Sequence, residues 1–159
     1  MREARRRVAL LMLAAGLAAC NSQGPPAGQA DLPTAVVYKS PTCGCCEKWV
    51  AHLRANGFAV QTRDTAQMSL VKDRHNLPRD MRSCHTAEIG GYVVEGHVPA
   101  ADIKRLLHEQ PDAEGLAVPG MPLGSPGMEV DDRRQAYTVW LLDPEGNRDF
   151  NRYPARNLE

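Results

Sequence analysis

Apolar residues recur along the chain with spacings that predict a strand followed by a helix at its start. Residues 35–38 are a short apolar run with β-branched members, which is typical of a buried strand. The next apolar positions follow the i, i+3, i+4, i+7 spacing of one helix face, at Cys46, Trp49, Val50 and Leu53. Ser40-Pro41-Thr42 provides a turn and an N-cap candidate, and Asn56-Gly57 provides the chemistry of a helix end.

Beyond this helix, the pattern predicts further strands and helices and a C-terminal hairpin. The predicted elements are a strand at 58–63, a weaker helix at 66–76, strands at 84–89 and 91–94, a helix opening at Pro99, and paired strands at 137–142 and 148–153. Residues 115–128 are rich in Gly and Pro and show no periodicity, which predicts a loop.

The order β-α-β-α-β-β-α, with a Cys pair at the start of the first helix, resembles the thioredoxin-like fold. This resemblance implies an α/β sandwich with a central mixed sheet flanked by helices, to which the C-terminal β-hairpin is an addition. That fold usually places a cis-proline opposite its Cys pair. Here the corresponding segment, Arg82-Ser83-Cys84-His85-Thr86, has no proline and offers a thiol and an imidazole instead.

The N-terminus has the features of an export signal. Four Arg residues precede an apolar run at 8–19, which is too short to span a bilayer comfortably. The run ends in Leu17-Ala18-Ala19-Cys20, which resembles the lipobox of bacterial lipoproteins, where cleavage precedes a lipid-bearing Cys. We therefore expect a signal peptide at 1–19, a lipid on Cys20, a flexible tether at 20–34 and one domain at 35–159. An ordinary secretory leader with an incidental Cys is the alternative.

Charge excludes one class of partner. The full chain carries 19 basic and 19 acidic side chains, and the leader holds four Arg and one Glu, so its removal leaves 15 basic against 18 acidic groups. A mildly acidic domain with two Trp and two Phe lacks the basic face that nucleic-acid binding requires. No nucleic-acid partner is expected.

Four thiols remain once Cys20 is set aside, namely Cys43, Cys45, Cys46 and Cys84. In an oxidising compartment, four cysteines allow two disulfides in three connectivities. A structural disulfide within Cys43-Gly-Cys-Cys46 is not expected, because residues so close in sequence close only a tiny loop. The cluster is therefore interpreted as chemical.

Two kinds of chemistry fit the cluster. Cys43 and Cys46 stand at i and i+3, where the N–H groups and dipole of a helix start lower thiol pKa values. A lowered pKa serves disulfide exchange and metal binding equally. Cys45 favours metal, since a third thiol beside a redox pair invites scrambling but adds a ligand for soft ions. Neighbouring thiols such as Cys45 and Cys46 diverge, so they suit bridging between ions in a thiolate cluster.

Thiolates accompanied by thioethers and imidazoles favour Cu(I), with zinc and iron–sulfur as alternatives. Met121 and Met128 supply the thioether candidates. Their Gly- and Pro-rich segment is either a surface linker with gap-filling methionines or a stiff loop that holds one or both over the thiols.

Imidazole candidates come from two positions. His85 adjoins Cys84. His97 lies at the N-terminal end of the third predicted helix, as Cys43 lies at the N-terminal end of the first. The remaining histidines have no nearby thiol in sequence and are expected at the surface; they are His52, His75 and His108.

Three separated segments in order carry a closer resemblance. They are YKSPTCGCCEKWVAHLRANGF, SCHTAEIGGYVVEGHVPA and GLAVPGMPLGSPGME. These resemble the signature segments of the periplasmic copper-resistance metal-binding proteins, a thioredoxin-like group long catalogued as a domain of unknown function. The resemblance covers about residues 35–129 and leaves 130–159 without support.

Membership of this group implies copper bound as a thiolate-bridged multinuclear Cu(I) cluster, with zinc as a less favoured metal. The implied thiol ligands are Cys43, Cys45, Cys46 and Cys84. The group's His and Met positions correspond to His85, His97, Met121 and Met128. The expected partners are copper ions and periplasmic copper-handling proteins. By the lipoprotein resemblance, Asn21 stands where inner-membrane-retained lipoproteins usually have Asp, which favours the outer membrane, reached through the lipid anchor on the periplasmic side of the envelope.

Two functions remain open at this point. One is a copper-handling lipoprotein that sequesters Cu(I) or cycles it with Cu(II), which leaves enzymatic copper redox activity undecided. The other is a thiol–disulfide oxidoreductase that uses Cys43 and Cys46, with Cys84 as a resolving partner. A structural zinc site is a third reading.

Overall fold

Strands and helices alternate along residues 32–157, the part of the chain that the computed structural model describes. The strands are β1 (Ala35–Lys39), β2 (Val60–Asp64), β3 (Thr86–Ile89), β4 (Tyr92–Gly96), β5 (Gly115–Val118), β6 (Tyr137–Leu142) and β7 (Arg148–Tyr153). The α-helices are α1 (Gly44–Ala55), α2 (Met68–Arg74) and α3 (Ala100–Glu109), and a 3-10 turn occupies Arg79–Met81. The predicted signal peptide, Cys20 and most of the tether lie outside the described residues.

The seven strands form one mixed sheet in the order β2-β1-β3-β4-β5-β6-β7. The pairs β1–β2 and β4–β5 are parallel, and the other neighbours are antiparallel. The sequence-based expectation of an α/β thioredoxin-like sandwich with a central mixed sheet is confirmed. The predicted C-terminal hairpin is confirmed as β6 and β7, which extend the sheet at one edge. Within residues 32–157, no helix is both long enough and apolar enough to cross a membrane.

Strand β5 corrects the prediction of a loop from residue 115. All four of its residues are buried, with Leu116 and Val118 in the main core and Ala117 in a second cluster. A short strand buried on both faces shows no polar alternation, which is why no periodicity marked it. Position 115 must be glycine because the neighbouring strand is too close for a side chain: a Cβ built there would lie 1.7 Å from the Val93 carbonyl oxygen.

The main core lies between the sheet and the pair of helices α1 and α3. Trp49, Leu53, Ile103 and Leu106 are fully buried and pack with inward-facing strand residues such as Val37. This confirms the helical faces that the apolar spacing predicts. Burial of these helices against the sheet fixes the position of their N-terminal ends, and the N-terminal end of α1 carries three of the thiols.

Lys39, the last residue of β1, helps to hold the start of α1. Its side chain is 1% exposed, and its ammonium group lies 2.5 Å from Glu47 in the first turn of α1 and 2.7 Å from Asp64 at the end of β2. Hydrogen bonds to Asp64 and Glu47 raise the pKa of Lys39 above its usual value. The charged group therefore links two strands to the helix that carries the thiols.

Candidate metal centre

Three of the four thiols lie at the N-terminus of α1. Cys43 is the N-cap residue, and Cys45 and Cys46 occupy the first turn. The predicted side-chain cap from Ser40 or Thr42 is wrong, because these two hydroxyl oxygens contact each other at 3.3 Å and no side chain caps the helix. The first N–H groups and the positive end of the helix dipole are thus left to act on the sulfur atoms.

A disulfide joins Cys43 and Cys46, whereas Cys45 and Cys84 are free thiols. This is the pair that the thiol–disulfide oxidoreductase alternative uses, whereas a structural disulfide was not expected in so short a loop. The Cα atoms of Cys43 and Cys46 are 5.3 Å apart, in the ordinary range for a disulfide, because the helical turn itself closes the loop. Coordination of a metal by all four sulfurs therefore requires this bond to be reduced.

Cys84 meets the three helix thiols from the segment that precedes β3. Its sulfur lies 3.5 Å from the Cys46 sulfur and 3.9 Å from the Cys45 sulfur, and the Cys43 and Cys45 sulfurs are 3.4 Å apart. All four sulfur atoms lie within 4.8 Å of one another. The structure thus brings together the four cysteines that the sequence singled out.

The Cys84 thiol is held in its protonated form when no metal is bound. Burial, followed by the repulsion of Cys45, raises the pKa of Cys84 to about 12. A bound cation reverses this balance, since a metal-ligating thiol is deprotonated and releases its proton on binding.

His97 is oriented as a ligand would be. Its Nε2 lies 3.2 Å from the Cys84 sulfur, and its Nδ1 lies 2.8 Å from the Pro126 carbonyl oxygen. That carbonyl only accepts a hydrogen bond, so in the neutral ring Nδ1 carries the proton and the Nε2 lone pair faces Cys84. Burial lowers the pKa of His97, which favours this neutral form.

His85 approaches Cys84 from the other side. Its Nδ1 lies 3.3 Å from the Cys84 sulfur, and its ring packs on Trp49 with centroids 4.3 Å apart. The residue is fully buried, and its Nε2 has no hydrogen-bond partner among residues 32–157. Burial, then the charges of His97 and Lys72, hold the pKa of His85 well below its usual value. Cys84, His85 and His97 form a second group of ligand atoms that shares Cys84 with the four thiols.

The two candidate methionines differ in placement. The Met121 sulfur lies 4.0 Å from the Cys45 sulfur, and 52% of the residue is exposed. Among residues 32–157, no sulfur of the cluster makes a hydrogen-bonding contact with Met128. The loop itself packs closely on α1, since a Cβ at Gly127 would lie 2.8 Å from the Cys45 carbonyl oxygen. The reading of this segment as a loop held over the thiols is therefore favoured for Met121 alone.

His52 is a structural residue that sequence reasoning placed at the surface. It is half-buried, and its Nε2 accepts a hydrogen bond from the Ala100 N–H at 3.1 Å, at the start of α3. The expected surface position holds for His108, which is exposed, whereas His52 and His75 are each only partly exposed, His75 beside Glu88. The signal available in the sequence was spacing, because His52 lies about one helical turn after the buried Trp49. The Trp49 indole donates a hydrogen bond to the Val98 carbonyl at 2.9 Å, close to the start of α3 that His52 contacts.

Comparisons with known proteins identify one family model and two solved structures that are similar to the chain. The family described as "Protein of unknown function, DUF411" matches residues 81–128, which contain Cys84, His85 and His97. Among curated protein sequences, none matches the chain. Two solved structures, titled copper resistance protein CopG Form 2 and Form 1, are each 51% identical to the chain. Each match covers 77% of this chain and 98% of the other, with TM-scores of 0.73 and 0.72.

The identity over nearly the whole length of these structures is high enough to show common family as well as common fold. The cysteine group able to hold a metal lies within that shared thioredoxin-like domain. The chain belongs to the family of the copper resistance protein CopG.

Proposed function

We propose that the chain binds copper as a thiolate-bridged multinuclear Cu(I) cluster and acts in copper resistance. Cys43, Cys45, Cys46 and Cys84 supply the bridging sulfurs, and His85 and His97 supply terminal nitrogens. Met121 is an outer thioether ligand, while Met128 is a weaker candidate because, within residues 32–157, it makes no hydrogen-bonding contact with the cluster sulfurs. Removal of free copper by sequestration, or its cycling between Cu(I) and Cu(II), is the proposed route to resistance.

The convergence of soft donors on Cys84 is the observation that carries this proposal. One sulfur lies within 3.9 Å of two other sulfurs and within 3.3 Å of two imidazole nitrogens. Thiolate and imidazole together select copper or zinc over hard cations. A sulfur with this many neighbours suits bridging between ions, which distinguishes the site from a mononuclear structural zinc site with four separate ligands.

The Cys43–Cys46 disulfide must be reduced before all four thiols can bind copper. Opening the Cys43–Cys46 disulfide consumes two electrons and two protons from a thiol or other two-electron reductant and yields two thiols. The protein thus has a metal-competent reduced state and an oxidised state with two free thiols among the described residues.

Location is part of the proposal. A lipid on Cys20 would anchor the domain to the outer membrane on its periplasmic side, with residues 20–34 as the tether and other periplasmic copper-handling proteins as partners. Fatty-acid labelling of cells that express the chain tests this directly. We expect incorporation in the wild type and none in Cys20→Ser; equal labelling of both would contradict the anchor.

Anaerobic titration of the fully reduced protein with Cu(I) tests the metal function. We expect more than one ion per chain, with ultraviolet thiolate–copper charge transfer, and a lower stoichiometry in Cys45→Ser. The Ser125→Ala variant is a matched control. Ser125 is buried in the same loop as Met121, but among the described residues its hydroxyl binds only the Pro122 carbonyl. Absence of binding, or an unchanged stoichiometry in Cys45→Ser, would overturn the proposal.

A second candidate function is supported by the disulfide itself. A Cys-x-x-Cys disulfide at a helix start, with a third thiol 3.5 Å from Cys46, is the arrangement of a thiol–disulfide oxidoreductase. That enzyme would turn over a disulfide substrate without metal, lose activity in Cys43→Ser and keep it in Cys45→Ser. The opposite sensitivity of copper binding to Cys45 separates the two functions.

A further inference from the structure

A buried charge pair lies directly behind the segment that carries Cys84. Glu95 on β4 is fully buried, and Lys72 on α2 is 6% exposed. The Lys72 ammonium group lies 2.5 Å from Glu95 Oε1 and 3.0 Å from the Thr86 hydroxyl, which donates to Glu95 Oε2 at 2.6 Å. Both carboxylate oxygens are therefore occupied.

The same carboxylate reaches the metal-site segment. Glu95 Oε1 also accepts a hydrogen bond from the backbone N–H of Ser83 at 2.6 Å. On the other side of Cys84, the His85 carbonyl accepts from the Gly96 N–H at 3.0 Å. Cys84 is thus flanked by two anchors on the end of β4, one of which is a side-chain carboxylate.

The anchored segment also holds the loop that carries Met121. The Ser83 hydroxyl donates to the Gly120 carbonyl, and the Gly120 N–H donates to the Arg82 carbonyl at 3.2 Å. Gly96 must lack a side chain here, because a Cβ would lie 2.6 Å from the Ser83 Cβ. The position of Ser83 therefore sets the approach of both Cys84 and the Met121 loop.

Stability alone is a poor reason for burying such a pair. Desolvation of two charges offsets their attraction, and replacement of a buried ion pair by apolar residues of similar volume is often neutral or stabilising. A charged acceptor, however, makes a stronger and shorter hydrogen bond to a backbone N–H than a neutral group does. The charged carboxylate therefore holds the Ser83 backbone more tightly than a neutral acceptor would, and a multinuclear site requires accurately placed ligands.

We propose that Glu95, paired with Lys72, is a positioning residue of the metal site, whose carboxylate holds Ser83 so that Cys84 faces the thiols of α1. This inference rests on the proposed function for its copper readout only. Its geometric content is tested without metal.

The test uses chains in which Cys20, Cys43 and Cys45 are replaced by Ser, so that Cys46 and Cys84 are the remaining thiols. Diamide oxidises these two thiols to a disulfide and is itself reduced to the hydrazine by the two hydrogens released. Because the two sulfurs lie 3.5 Å apart, the intramolecular disulfide forms quickly in the parent chain. Its rate, followed by mass spectrometry, reports the position of Cys84.

Two paired variants separate charge from positioning. In Lys72→Met with Glu95→Leu, the acceptor for Ser83 is lost, and we expect disulfide formation to slow by about tenfold, the loss that one hydrogen bond accounts for. In Lys72→Met with Glu95→Gln, the amide oxygen still accepts from Ser83 but carries no charge, and we expect a rate between those of the parent and the Leu variant. Glu95→Asp, which keeps the charge but withdraws the carboxylate, is expected to slow the reaction as well and serves if the Leu variant does not fold.

Asp102→Asn is the matched control. Asp102 is another buried carboxylate, 3% exposed, but it binds Asn151 and Tyr153 at the C-terminal hairpin rather than the metal-site segment. We expect lower thermal stability in this variant and an unchanged rate of disulfide formation. A parent-like rate in the Leu variant, or in the Asp variant if the Leu variant does not fold, would overturn the positioning role.

A copper titration of the same pair substitutions in the chain with all its cysteines completes the test. We expect fewer Cu(I) ions per chain in Lys72→Met with Glu95→Leu than in its Gln counterpart. If the wild type itself binds no copper, the proposed function fails, while the disulfide rates still decide whether Glu95 positions Cys84.

Discussion

The sulfur of Cys84 lies 3.5 Å from that of Cys46, although 38 residues separate them in sequence. The contact follows from the antiparallel pairing of β1 and β3, in which Tyr38 is opposite Thr86. The end of β1, where α1 begins, therefore meets the start of β3, where Cys84 lies. One backbone pairing assembles the four-thiol site.

Loss of Cys84 is expected to damage copper binding more than loss of any outer ligand. Cys84→Ser removes the sulfur shared by the thiol group and the imidazole group, so affinity for Cu(I) should fall by at least about tenfold. Competition of reduced protein against a chromogenic Cu(I) chelator measures this. Met121→Leu, which alters an exposed thioether 4.0 Å from Cys45, is the control and should have a smaller effect. Equal losses in the two variants would show that Cys84 is not a bridge.

The two free thiols are expected to react with alkylating agents at different rates. At pH 8 the thiolate is the nucleophile, and a pKa raised to about 12 leaves very little thiolate at Cys84. Cys45 should therefore be labelled first by iodoacetamide in the oxidised, metal-free protein, as peptide mass spectrometry will show. The Cys84→Ser variant assigns the slow site. Faster labelling of Cys84 than of Cys45 would contradict the structure.

Acid is expected to destabilise the fold partly through His52. Burial lowers the pKa of His52 below its usual 6.5, and its Nε2 must be unprotonated to accept the Ala100 N–H. Between pH 6.5 and the lower pKa of the folded state, His52 binds a proton in the unfolded chain but not in the folded chain. The stabilisation by neutral His52 is therefore fully present above pH 6.5. It is lost as the pH falls through the folded pKa.

Denaturant unfolding between pH 8 and pH 5 tests the sign and size of this effect. His52→Gln keeps an acceptor that does not titrate, and it should reduce the pH slope by up to about 1.4 kcal/mol per pH unit, the limit for one proton. His52→Ala should share the reduced slope but be less stable at every pH, because it also loses the hydrogen bond to α3. A wild-type slope in both variants would rule out His52 as the titrating group.

Gly127 is expected to tolerate no side chain. Its φ is +88°, and a Cβ would lie 2.8 Å from the Cys45 carbonyl oxygen and 2.9 Å from the Trp49 nitrogen, both backbone atoms of α1. Gly127→Ala should lower the free energy of unfolding by about 1–3 kcal/mol and weaken copper binding by shifting the loop. Gly120→Ala is matched, because Gly120 also has positive φ, at +67°, but has nothing within 4 Å of a Cβ. Similar losses in both variants would attribute the effect to φ alone.

Periodic segments were predictable because their signal is local. The face of α1 formed by Trp49, Val50 and Leu53 is buried as its spacing predicts, and the hairpin of β6 and β7 forms where alternation and a turn motif predict it. Strand β5 was missed because burial on both faces removes the alternation that identifies a strand. A structural disulfide between Cys43 and Cys46 was not expected because of the short loop, whereas the helical turn brings their Cα atoms to 5.3 Å.

By itself, the sequence determined the candidate groups of this protein, since the residue types and their order single out the thiols and the imidazoles and indicate the fold class and the copper-resistance family. Only the tertiary structure decided which of these groups meet. It brings Cys84, His85 and His97 to the helix thiols, brings the Met121 sulfur to 4.0 Å from that of Cys45, and places Glu95 behind Ser83. Helix and strand periods arise from neighbours in the chain, whereas these contacts depend on strand pairings and loop packing between distant segments, for which a single sequence carries no local signal.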